Sequence, residues 1–153
     1  MVALVGPLGA GKTAFVQGLA EGLGVDPAEV SSPTFAIASE YPEVGGLRLV
    51  HVDLFRLASE AELEATGFRD FLAPDAVLAV EWADRFPDAL PRDRLEVRID
   101  RRAGAEATHR EIFAVALGPA AAELLARWSA ARGRGGPARP PRGRRGKGGT
   151  ALR

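Results

Sequence analysis

Apolar residues fall along this chain in short unbroken runs closed by glycine or an acid, with helical spacing between the runs. Val2 to Val5 stops at Gly6 and predicts a strand buried on both faces. After Lys12, the residues Phe15, Val16, Leu19, Ala20 and Leu23 recur on one helical face, and Gly22 and Gly24 supply a stop. Phe35 to Tyr41 reads as a strand between Ser31-Ser32-Pro33-Thr34 and Pro42, and Leu47 to Asp53 as another, entered after the Gly45-Gly46 turn. Ser59 with Glu62 three residues on is a capping box opening a short helix. Ala76 to Glu81 is a second clean buried strand. Leu95-Val97-Ile99 and Ile112-Ala114-Ala116 alternate about Arg101-Arg102-Ala103-Gly104, which predicts a hairpin. A closing helix after Pro119 presents Leu124, Leu125 and Trp128 on one face. No internal repeat interrupts this order. Helices interleaved with apolar strands predict a three-layer α/β domain, and the last two strands are too close for a crossover helix. The expected sheet is therefore mixed and mostly parallel, with a C-terminal antiparallel hairpin.

Composition divides the chain in two. Residues 132–153 hold 7 Gly, 3 Pro and 8 basic residues among 22, too little apolar surface to offset chain entropy, so this tail is expected to be disordered. The folded domain is expected over 1–131. All 20 acidic residues and 12 basic ones lie there, giving the body a net −8 against +8 in the tail. The absence of Cys removes disulfides and thiol chemistry. No apolar run approaches the roughly 18 residues of a membrane span, and Met1 leads straight into the first strand without a secretory pattern. A cytoplasmic protein without a membrane partner is the expectation.

The chemistry concentrates after the first strand. Gly6-Pro7-Leu8-Gly9-Ala10-Gly11-Lys12-Thr13 matches G-x-x-x-x-G-K-[ST] in full, between a predicted strand and an amphipathic helix, as a phosphate loop requires. The glycines allow a tight turn whose backbone N–H groups face phosphate oxygens, and the helix start adds its positive end. Gly6, Leu8, Gly9, Ala10, Gly11, Lys12, Thr13 and Ala14 are thus the candidate residues for a nucleoside triphosphate. Lys12 is expected to reach the β- and γ-phosphates, and the Thr13 hydroxyl to hold Mg²⁺, a hard cation that prefers oxygen. The expected fold is P-loop NTPase-like.

In open α/β sheets ligands gather at the carboxyl ends of strands, so acids ending apolar runs are candidates to complete the site. Asp53 and Glu81 are two such acids. One would serve as a metal ligand and the other would orient or deprotonate water, and spacing alone does not apportion the roles. Thr34 reads either as a γ-phosphate sensor or as part of a Ser/Pro turn opening a strand. Trp82 and Tyr41 read either as stacking groups or as core, and Arg56 as a phosphate clamp or the partner of an acid. His51 and His109 have no second ligand at suitable spacing and read as structural or surface residues.

Gly-Pro-Leu-Gly-Ala-Gly-Lys-Thr (6–13), Ser-Ser-Pro-Thr-Phe (31–35), His-Val-Asp-Leu-Phe-Arg-Leu (51–57) and Glu-Trp-Ala (81–83), in this order and spacing, resemble the TsaE (YjeE) family over residues 2–117. The phosphate loop alone is generic; the other three blocks are specific in combination. The resemblance implies a small ATPase that supports threonylcarbamoyladenosine formation beside the tRNA anticodon. It implies action with TsaB and TsaD, without making the threonylcarbamoyl-adenylate itself, and hydrolysis that resets the complex between turnovers. It further implies ATP and Mg²⁺ as cofactors, with Thr13 and Glu81 as metal ligands and Asp53 in the Walker-B-like role. Thr34 would lie in a switch segment, Trp82 beside the nucleotide, and Gly104 to Glu106 near the base.

Two features depart from the family. Its members carry a segment before the first strand, with a Thr that helps seat the nucleotide, whereas this sequence opens inside that strand. That implies either an upstream start or incomplete adenine recognition. The second departure is the basic tail, which reads either as a contact for tRNA phosphates, making tRNA an indirect partner, or as a disordered extension without function. The main alternative function is a small-molecule P-loop kinase, which needs an acceptor pocket and an Arg-bearing lid; the short Pro-rich segment between Glu81 and Leu95 offers no lid helix. A nucleotide-gated binding module is the alternative outside enzymes, and the acidic body suits a basic partner surface.

Overall fold

The computed structural model describes residues 1–33, 37–101 and 109–134. Six strands form one sheet: β1 (Val2–Val5), β2 (Ala38–Val44), β3 (Leu47–Asp53), β4 (Ala76–Glu81), β5 (Leu95–Arg101) and β6 (Arg110–Ala116). Their spatial order is β2-β3-β4-β1-β5-β6. The four central strands are parallel, and both outer pairs, β2 with β3 and β5 with β6, are antiparallel. The expected α/β fold with a mixed, mostly parallel sheet is what the chain adopts. The second antiparallel edge follows from Gly45 and Gly46, both at positive φ, which reverse the chain between adjacent strands.

Alternation along β1 explains the three layers. Val2 and Leu4 face a core shared with α1 (Lys12–Leu23) and α3 (Pro119–Arg134), through Val16, Ala20 and Ala121. Ala3 faces the opposite core, closed by Leu63 of α2 (Glu60–Ala65), Phe68, Phe86 and Leu90. Covered on both faces, β1 and β4 read as continuous apolar runs, whereas β5 buries Leu95, Val97 and Ile99 and alternates them with polar residues. Helix α1 ends where Gly24, in the left-handed region, turns its N–H back onto the Ala20 and Glu21 carbonyls. Gly22 is accommodated inside the helix and does not stop it.

Ser59 caps α2 as expected, accepting from the Glu62 N–H at 3.2 Å, and the Glu62 carboxylate reaches back one residue beyond the cap to accept from the Ala58 N–H at 2.8 Å. Three expectations need adjusting. Strand β2 continues through Pro42 to Val44, which an outermost strand allows because a ladder bond is not needed there, and the register shifts between Tyr41 and Val44. On α3 the inward face is Ala121, Leu125 and Trp128, with Trp128 edge-on to Phe15 at 5.9 Å, whereas Leu124 is 46% exposed. Helix α3 also runs to Arg134, three residues into the segment expected to be disordered, and the rest of that tail lies outside the described residues. The start of α3 is capped from a distance, since Asp93 accepts from the Ala120 and Ala121 N–H groups at 3.0 and 2.9 Å. No described helix is long and apolar enough to cross a membrane.

Leu4, fully buried at the centre of β1, and Ser59, an exposed cap, separate core from cap energetics. Urea denaturation should show Leu4→Ala losing about 3 kcal/mol and Ser59→Ala about 1 kcal/mol.

Candidate functional site

The phosphate loop leaves the carboxyl end of β1, flanked by β4 on one side and β5 on the other. This is a point where successive chain connections diverge, the usual place for a ligand crevice in such sheets. Gly6 is required there: its φ is +149° and a Cβ would stand 2.2 Å from the Ile99 carbonyl oxygen of β5. Beyond it the chain bends in a turn closed by the Ala10 N–H donating to the Pro7 carbonyl at 3.1 Å. A cavity of about 540 Å³ opens over the loop, lined by residues 8–13, Ser32, Pro33 and Ile37, with Asp53, Phe55, Arg56, Glu81 and Trp82. Its size suits a small ligand bound by its polar end.

Lys12 is only 4% exposed, and its ammonium donates to the Gly6 carbonyl at 2.7 Å and the Pro7 carbonyl at 3.1 Å. The same group lies 3.7 Å from the centre of the Trp82 ring, a cation–π contact. Trp82 reaches that position from left-handed backbone, at φ 59°, the sole described non-glycine residue with positive φ. Phe55 supports the indole from outside, with ring centres 4.9 Å apart. Burial pushes the Lys12 ammonium below its ordinary range, opposed by the nearby carboxylates of Glu81, Asp53 and Asp84. An anion entering here would meet a cation already stripped of water.

The two acids arrive on neighbouring strands, with Asp53 paired to Glu81 in the β3–β4 register. Glu81 is 3% exposed, and its Oε1 accepts from the Thr13 hydroxyl at 2.7 Å. His51 Nε2 lies 2.9 Å from the same oxygen. Asp53 is held at both oxygens, by the Phe55 N–H at 2.9 Å and the Ser32 hydroxyl at 2.7 Å. Thr13, Glu81 and Asp53 thus offer a hydroxyl and two carboxylates around the end of the loop. That all-oxygen set suits a hard divalent cation completing its shell with water and phosphate oxygens. Among the described residues no group of three or more His, Cys, Asp or Glu is placed to hold a metal ion by itself.

Most sequence candidates meet around this cavity. Gly6 contributes through its carbonyl to Lys12, and Leu8 to Thr13, Asp53, Glu81 and Trp82 line the space. Ala14 lines a neighbouring groove with Phe15, Leu124 and Trp128 instead. Thr34 and the Gly104–Glu106 segment lie outside the described residues. Arg56 lines the cavity from an exposed position, Tyr41 packs against the core, and His109 is exposed. Two residues escaped sequence reasoning, Ser32 as a partner of Asp53 and His51 as a partner of Glu81. Strand periodicity carried the signal for the histidine: His51 and Asp53 are two apart and share a face, as do Ala79 and Glu81, their partners in the register.

Comparison with known proteins adds an independent finding. Residues 1–112 match the family model described as threonylcarbamoyl adenosine biosynthesis protein TsaE. The tRNA threonylcarbamoyladenosine biosynthesis protein TsaE of Streptomyces coelicolor is 47% identical over 105 residues, covering 68% of this chain and 70% of that protein. Its namesake from Haemophilus influenzae is 40% identical over 100 residues, covering 65% of this chain and 62% of that protein. Among solved structures, the crystal structure of Bacillus subtilis YdiB superposes with a TM-score of 0.63 at 34% identity, covering 86% of this chain and 77% of that one. A Gly-rich loop facing buried Glu81 and half-buried Trp82 and a family match over most of the domain agree, and the chain belongs to the TsaE family of threonylcarbamoyl adenosine biosynthesis proteins.

Proposed function

We propose that the chain binds ATP with Mg²⁺ in the cavity over the phosphate loop and hydrolyses it, slowly alone and faster with TsaB and TsaD, in support of threonylcarbamoyladenosine modification of cytoplasmic tRNA. The observation that carries this reading is the 2.7 Å contact between the Thr13 hydroxyl and the buried Glu81, beside an ammonium held on the loop's own carbonyls. In this reading Lys12 exchanges the Gly6 and Pro7 carbonyls for the β- and γ-phosphate oxygens. Thr13 and Glu81 would hold Mg²⁺, which when bound draws charge from the phosphates. Asp53, kept in one orientation by Ser32 and the Phe55 N–H, directs a water at the γ-phosphorus. The new P–O bond forms as the bond to the β-phosphate oxygen breaks and Asp53 takes the water's proton, leaving ADP and inorganic phosphate. Trp82 closes the side of the cavity and shields it from bulk water. Between β4 and β5 the chain has one 3₁₀ turn, Ala83–Arg85, and no helix to serve as a kinase lid, which favours water over a small-molecule acceptor.

Phosphate release from ATP, measured without any small acceptor, is expected to be slow for the isolated chain and to accelerate on adding TsaB and TsaD; equal rates would refute the proposed stimulation. Lys12→Ala should abolish ATP binding in calorimetry while leaving the denaturation midpoint near that of the parent. Asp53→Asn should retain nucleotide affinity and lower the stimulated rate on the order of 10²- to 10⁴-fold, the range for loss of a general base.

A further inference from the structure

The strand that closes the sheet on the far side of β5 reaches back to the phosphate loop. Arg110, the first residue of β6, donates from Nε to the Ala10 carbonyl at 2.7 Å, and its Nη2 lies 3.5 Å from the Gly9 carbonyl. Its Nη1 is held at 3.0 Å by the carbonyl of His109, which fixes the plane of the guanidinium. Arg101, opposite Arg110 in the β5–β6 register, approaches the same spot, with Nη2 only 2.9 Å from where a Cβ on Gly9 would stand. Two guanidinium groups therefore flank the outer side of the loop.

The consequence follows from peptide geometry. In a planar trans peptide the carbonyl of one residue and the N–H of the next point in opposite directions. Anchoring the Ala10 carbonyl outward directs the Gly11 N–H to the cavity side, while the Ala10 N–H is committed to the Pro7 carbonyl within the loop's own turn. Lys12 meanwhile engages the Gly6 and Pro7 carbonyls. The Ala10 carbonyl, and at longer range the Gly9 carbonyl, are held by Arg110 independently of Lys12, so their negative ends stay turned from an incoming phosphate when Lys12 leaves its own carbonyls for it. A charge-assisted bond to a carbonyl is stronger than a neutral one, and Ala10 is fully buried, so water has little access to replace it.

The geometry points to Arg110 as a positioning residue that holds the phosphate loop in its binding shape from outside the cavity, coupling the β5–β6 hairpin to nucleotide affinity. This rests on the nucleotide-binding reading above, but the loop's order can be measured with no nucleotide present. Hydrogen exchange of the empty full chain is compared with Arg110→Met, which keeps the aliphatic stem, and Arg110→Lys, which restores one donor. Exchange at the amides of residues 8–12 is expected to rise about tenfold in Arg110→Met and to recover in part in Arg110→Lys. Amides of β3 and β4 should remain as protected as in the parent. The dissociation constant for ATP with Mg²⁺ should rise about tenfold in Arg110→Met. Parental exchange in the loop together with parental ATP affinity would overturn the assignment, as would a uniform rise in exchange across the sheet. If the parent chain itself bound no nucleotide, the nucleotide reading would fail, and the exchange pattern alone would decide the role of Arg110.

Discussion

A carboxylate taken out of water has to be met by hydrogen-bond donors, and Glu81 is the place where this constraint organises the molecule. One of its oxygens takes both the Thr13 hydroxyl and His51 Nε2, so a single buried atom joins α1, β3 and β4. With Nε2 as the donor, Nδ1 is left as the imidazole's bare acceptor and has no partner among the described residues. A lone pair without a donor is a tolerable loss beside a buried carboxylate without one. Removing either donor would leave the buried Glu81 underserved. The bond from Thr13 also sets how the first turn of α1 sits over the sheet, and hence where the phosphate loop opens.

The loop itself is arranged around a second buried charge. Lys12 is satisfied by backbone carbonyls and the face of Trp82. The strained backbone at Trp82 fits this role, because residues held at positive φ need support from their surroundings, here the Phe55 ring on one side and the ammonium on the other. A cation with its water removed but its charge only partly balanced is a strong attractor for phosphate, and the loop's N–H groups give the attraction a direction.

The sheet makes these arrangements compatible. Gly6, Asp53 and Glu81 follow or close apolar runs and come together at the carboxyl end of the parallel core, while Leu4, Val52 and Val80 fill its interior. The antiparallel pairs at either side then bring in side chains from far along the chain, such as Arg110 onto Ala10. Membership of the TsaE family agrees with a domain whose loop, acids and Trp82 gather around one cavity at the end of the sheet.

Local pattern determined a great deal. The runs Val2–Val5 and Ala76–Glu81, the helix after Lys12 and its end at Gly24, and the Ser59 cap were legible because each depends on neighbours within a few residues, through periodicity, φ freedom or a side chain reaching its own backbone. The phosphate loop was legible for the same reason, being eight contiguous residues. Tertiary structure decided the rest. Strand order placed β1 between β4 and β5, the β3–β4 register aligned Asp53 with Glu81 and set His51 on the same face, and the outermost position of β2 let it pass through Pro42. Which face of α3 turned inward, and that Arg110 would meet a carbonyl 100 residues away, depended on packing between segments that carry no mark of one another in the linear chain. Local order follows from the torsions and reach of adjacent residues, whereas a site assembled from several strands exists only once burial of the whole core has chosen their neighbours.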